Sequence, residues 1–219
     1  MAFQKRVSLA RQYIGEGNWE YAKRNLQLAA KIDPTNAEVH EAFALVYQST
    51  GEYELAEESF KRALSSQPGL SRARNNYAAF LFGQGRMEQA EKEFTRVTED
   101  TLYSGRPLAF INLGLARVRL GRAEGAEQAF ARALAMDRRN PIALLELGYL
   151  RLAAGDPEAA LQYYDVYRTV VRQQPARGLL LGIRIAQARG DADAEASYGL
   201  ALRARYPDSP EYRAYRAGN

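Results

Sequence analysis

No cysteine occurs in the 219 residues, which excludes disulfides, thiolate metal sites and cysteine nucleophiles. Histidine occurs once, at His40, so the paired imidazoles of ordinary zinc sites are not available. His40-Glu41 is not followed by a second histidine at i+4, which removes the helical zinc-hydrolase motif. Neither a G-x-x-x-x-G-K-[ST] phosphate loop nor a G-x-S-x-G nucleophile turn is present. Gly83-Gln84-Gly85 starts like a phosphate-binding loop, but no strand pattern precedes it and Gly85 fits an ordinary turn. No catalytic, cofactor-binding or metal-binding residue is expected, and the chain reads as a non-enzyme. No apolar run approaches the roughly 18 residues a membrane-crossing helix needs. Met1-Ala2-Phe3-Gln4-Lys5-Arg6 has no apolar stretch behind it and does not read as a signal peptide.

Lysine is scarce too, with five among 30 basic residues. The formal charge of +4 is concentrated at one end: from Arg168 onward nine arginines face five acids, which leaves residues 1–167 neutral. This basic quarter reads as a solvated cap, with an acidic partner or an anionic lipid surface as the alternative. Nucleic acid is not expected as a partner, because no aromatic-plus-basic stacking platform and no groove-reading helix accompany the arginines.

What the chain does contain is a period. Alanine recurs at 22, 56, 90, 126, 160 and 194, and four residues after each stands Leu26, Phe60, Phe94, Phe130, Tyr164 or Tyr198. Upstream lies a shorter motif, exemplified by Phe43-Ala44…Tyr47, Tyr77-Ala78…Leu81 and Leu147-Gly148. Spacings of three and four place these side chains on one helical face. Gly17, Gly51, Gly85, Gly121 and Gly155 separate the two halves, where a helix end favours a left-handed residue; Gly190 comes one residue late in the last unit. Each unit is therefore two antiparallel helices, and self-similarity at about 34 residues marks a repeat array.

The layout resembles the tetratricopeptide repeat, most clearly in Phe43, Ala44, Tyr47, Gly51, Ala56, Phe60, Ala63 and Pro68. The expected fold is all-α: six helix pairs in a right-handed superhelical solenoid, forming one domain over residues 1–219. The repeats run 3–36, 37–70, 71–106, 107–140, 141–174 and 175–208, with a cap at 209–219. Residues 99–106 hold a two-residue insertion, expected to be a surface turn that lengthens one link. Acid pairs such as Glu57/Glu58 and Glu91/Glu93 are expected on outward, solvated faces. His40 and Trp19 are expected to serve packing.

In such an array the first helix of each unit lines the inner face. Val7, Arg11, Ile14, Arg72, Asn76, Phe82, Asn112 and Tyr149 are the candidate partner-binding residues. Apolar members would anchor a ligand, while the amides of Asn76 and Asn112, at the same position of successive repeats, would bond its backbone. Removing both amides is expected to weaken binding and to leave thermal stability nearly unchanged. Alternatively each amide caps a neighbouring loop. Val7 and Ile14 are expected to be open at the N-terminal end, where no repeat precedes them.

The insertion Glu99-Asp100-Thr101-Leu102-Tyr103-Ser104-Gly105-Arg106, with flanks Asn75-Asn76-Tyr77 and Phe110-Ile111-Asn112-Leu113-Gly114, resembles the type IV pilus pilotin family (PilF/PilW). The ending, Gly182-Ile183-Arg184-Ile185-Ala186 through Tyr206-Pro207-Asp208-Ser209-Pro210, is similar to that family as well. The resemblance implies a protein scaffold that helps the pilus secretin reach, assemble in and persist in the outer membrane of a Gram-negative bacterium. It also implies a lipid anchor on an N-terminal cysteine that these residues do not include. The alternative is a cytoplasmic tetratricopeptide-repeat adaptor for an unrelated client.

Overall fold

The computed structural model describes residues 2–218. Thirteen α-helices and no strand are found among them. The first helices are α1 (Ala2–Gly15), α3 (Ala37–Ser49), α5 (Ser71–Gly83), α7 (Arg106–Arg119), α9 (Pro141–Ala153) and α11 (Ala176–Arg189). The second helices are α2 (Trp19–Ala30), α4 (Tyr53–Ser66), α6 (Met87–Glu99), α8 (Ala123–Met136), α10 (Pro157–Val170) and α12 (Ala192–Arg205). A short α13 (Pro210–Ala217) follows. Two compact units are distinguished, one ending at Leu120 and the other beginning at Gly121.

Local chemistry sets the helix ends. All six turn glycines, Gly190 included, have φ between 70° and 81°, a conformation that costs a residue with Cβ. Asn36 and Asn140 cap α3 and α9 by accepting two backbone N–H groups each. Each cap is itself steadied by an aspartate three residues earlier, Asp33 or Asp137.

Within the first unit α1, α3, α5 and α7 lie side by side, and α2, α4 and α6 pack against them. The repeated alanines and bulky residues do what their spacing implies: Ala22, Ala56 and Ala90 are fully buried beside Leu26, Phe60 and Phe94. The second unit relies on glycine against tyrosine. A Cβ on Gly182 would strike the ring of Tyr164, and one on Gly178 the ring of Tyr167. At its far end α13 lays Tyr212 and Tyr215 over Leu179, Ile183 and Leu202, so the aliphatic stretch of repeat 6 is core.

Candidate protein-interaction site

The first-helix face of the first unit centres on a buried carboxylate. Glu41 of α3 has no exposed surface, yet three groups from the adjoining repeats converge on it. Arg11 Nη2 lies 2.9 Å from Oε2. Arg72 donates through Nε to Oε1 at 2.9 Å and through Nη2 to Oε2 at 2.7 Å. Asn76 Nδ2 donates to Oε1 at 2.9 Å. Glu38 stands behind the arginines at 3.5 and 3.9 Å. Removing a carboxylate from water is tolerable only with such complete hydrogen bonding. The hydrogen bonds to Glu41 hold the Arg72 guanidinium above its ordinary pKa.

Arg11, Arg72 and Asn76, three of the candidate partner-binding residues, are thus brought together around a residue of the protein itself. The amide of Asn76 is already committed, and so is that of its neighbour Asn75 to burial, where its carbonyl oxygen has no partner. Val7 is placed differently from expectation. It is 3% exposed in a core cluster with Ala10, Leu26, Val39 and Val46, so α2 and α3 cover it. Ile14 packs at the edge of that cluster.

Phe82 and Asn112 meet at a second place on the same face. With Ala79, Phe94 and Leu115 they line a recess of about 60 Å³ between α5 and α7. The side-chain amide of Asn112 makes no hydrogen bond among the described residues. In the second unit the hydroxyl of Tyr149 donates to the Arg177 carbonyl at 2.7 Å, and the Arg177 guanidinium lies 4.8 Å from its ring centre. Arg177 also forms a two-pronged pair with the buried Glu146. Burial pushes the Tyr149 hydroxyl up to about 12.

The insertion is more than a spacer. The Ser71 hydroxyl donates to Asp100, and Arg106 Nε donates to the Thr98 carbonyl at 2.7 Å. Burial raises the Tyr103 hydroxyl, and Arg72 opposes that shift from nearby. Leu102 points outward, 94% exposed.

The acid pairs are also corrected. Glu57, Glu91 and Glu93 are not solvated outward charges but half-buried members of ion pairs with Arg86, Arg117 and Arg74. Lys23–Glu52 and Glu57–Arg86 occupy equivalent places in successive repeats with the sign reversed. Opposite charges 29 residues apart were the available signal. His40 is structural, its Nε2 lying 2.9 Å from the Pro34 carbonyl oxygen. Among the described residues no group of three or more histidine or acidic side chains is arranged for a metal, and no helix is long and apolar enough to cross a membrane.

Helix pairs turned by positive-φ glycines, with alanine and aromatic residues alternating in the core, define a tetratricopeptide-repeat protein. Tetratricopeptide-repeat family models match residues 49–102 and 111–178, a class of scaffolds that are generally non-catalytic. The chain is 39% identical over 211 residues to the type IV pilus assembly protein PilF of Pseudomonas aeruginosa, spanning 96% of this chain and 83% of that one. The solved structure of Pseudomonas aeruginosa PilF superposes with a TM-score of 0.91 at 38% identity, covering 100% of this chain and 98% of its own. That of PilW, a widely conserved type IV pilus biogenesis factor, gives 0.83 at 30% identity and covers 98% of both. The chain belongs to the PilF family of type IV pilus biogenesis proteins.

Proposed function

We propose that the protein is a pilotin, a protein-binding scaffold that assists localisation, assembly or stability of the type IV pilus secretin. The observation that carries this reading is the correspondence to PilF through the full length of the chain, insertion and C-terminal helix included. A face of first helices with free side chains at Phe82, Leu108, Asn112 and Leu115 supplies a surface for a protein ligand. The site of action in this reading is the periplasmic face of the outer membrane, with attachment through a lipid anchor that the 219 residues do not include. Twitching motility is the cellular output.

The test is deletion of the gene in its piliated host, followed by fractionation. Secretin multimers should fall in the outer-membrane fraction, twitching should stop, and the native gene should restore both. Purified chain should capture the secretin from that lysate. An unchanged secretin, with the protein recovered from the cytoplasm, overturns the reading in favour of an adaptor for another client.

A further inference from the structure

Asn76 and Asn112 hold the same position in successive repeats, and sequence spacing treats them alike. The structure separates them. Asn76 spends its amide on Glu41, 35 residues earlier in the chain. The side-chain amide of Asn112 has no partner among the described residues and sits at the rim of the recess formed with Ala79, Phe82, Phe94 and Leu115. An unpaired amide beside an apolar hollow is a pair of complementary demands: an apolar side chain for the hollow, and a backbone donor and acceptor for the amide.

The surface continues along α7. Leu108, Asn112, Leu115 and Arg119 follow one another at spacings of four, three and four, which is one helical face. Leu108 is half exposed. Arg119 is exposed and has no acidic partner among the described residues, whereas its neighbour Arg117 is held by Glu91 at 2.9 Å. The face therefore ends in an uncompensated positive charge, which calls for an anionic group on whatever lies along it. Seven residues of helix separate Asn112 from Arg119, about 10.5 Å. An extended chain covers that length in roughly three residues.

We propose that the recess receives one aliphatic side chain of an extended partner segment, that Asn112 bonds the backbone of that segment, and that Arg119 pairs with an acidic residue three positions along it. The volume of about 60 Å³ is on the scale of a branched aliphatic group. This inference rests on the reading of the protein as a scaffold with a protein ligand, and it adds the chemistry of the segment recognised.

The test uses the full chain and a fluorescent peptide, Ser-Gly-Leu-Ser-Gly-Glu-Ser-Gly, titrated by polarisation. Replacing its leucine by glycine should weaken binding at least tenfold, and replacing its glutamate by glutamine about fivefold. Asn112→Ala should lose about fivefold for every peptide. Arg119→Gln should abolish the preference for glutamate and leave the preference for leucine. Ala79→Leu, which fills the recess, should remove the leucine preference. Melting temperatures should match the wild type throughout, which separates lost contact from lost folding. Absence of saturable binding up to millimolar peptide, or the same affinity for all peptides and variants, overturns the assignment. So does a concentration-dependent dimer that Asn112→Ala dissolves, since a second copy would then be the occupant. Secretin capture is measured alongside. If wild type and all variants capture it equally, the recess assignment falls while the pilotin reading stands. If wild type captures none but the peptide pattern holds, the pilotin reading falls and the recess stands.

Discussion

Glu41 shows how one residue can tie three repeats. Arg11 comes from α1, Arg72 and Asn76 from α5, and all three meet the carboxylate on α3. Glu146 and Arg177 repeat the arrangement in the second unit, again 31 residues apart, without the third repeat's contribution. Breaking one side of a buried pair leaves the other charges uncompensated. Arg11 and Arg72 are partly exposed and can regain water, so the cost of Glu41→Ala is about 2–3 kcal/mol, below the upper range for sealed pairs. Asn76→Ala removes one hydrogen bond to a buried carboxylate and should cost about 1–2 kcal/mol. Asn112→Ala should stay within about 0.5 kcal/mol of wild type. Urea denaturation of the three variants at neutral pH measures this directly. A loss at Asn112 equal to that at Asn76 would make both amides structural.

Between elements, the second helices are stapled by charge as well as by packing. Hydrogen bonds from Arg86, helped by Lys61 and Tyr77, hold the Glu57 carboxyl down from 4.5 to about 2. The folded pKa lies below the unfolded one, so this contribution is complete above about pH 4.5 and is lost as pH falls toward 2. Solvent reaches the pair, which limits its worth to about 1 kcal/mol. Wild type should therefore lose about 1 kcal/mol more than Glu57→Gln between pH 5 and pH 2, read from urea midpoints at each pH. Parallel curves for the two proteins would show that the rung carries no stability. Packing between α10 and α11 allows a second prediction. Gly182→Ala gains about 1 kcal/mol of helix propensity. It also drives a methyl group into Tyr164, a fully buried ring whose hydroxyl donates to Gln174 at 2.6 Å. Overpacking of this kind costs about 1–3 kcal/mol, so the variant should be less stable by up to about 2 kcal/mol in thermal or chemical melts.

For the molecule as a whole, a repeat array has two ends that must each be finished differently from its middle. After α12 comes α13, an eight-residue helix too short to persist alone, held by Tyr212 and Tyr215 over Leu179, Ile183 and Leu202. Removing residues 209–219 should uncover that apolar surface and lower stability by roughly 2–4 kcal/mol. The truncated chain should also bind a hydrophobic dye that the full chain does not. An unchanged melting curve would mean that α11 and α12 close their own end.

The period, the paired helices, the turn glycines and the buried alanine-aromatic register were all legible in the sequence. They depend on residues within one helical turn of each other, or on the same residue recurring in every unit. The face that carries the candidate site was legible for the same reason, since first-helix positions follow from the register. Which side chains on that face remain free was not. Asn76 and Asn112 differ only because a glutamate stands in the repeat before one and not the other, and Val7 is covered because α2 and α3 close over it. Such choices are made by contacts 30 or so residues apart in the chain, between side chains whose meeting requires particular rotamers. Local periodicity fixes where a side chain points; only the packed neighbours decide whether it is already taken.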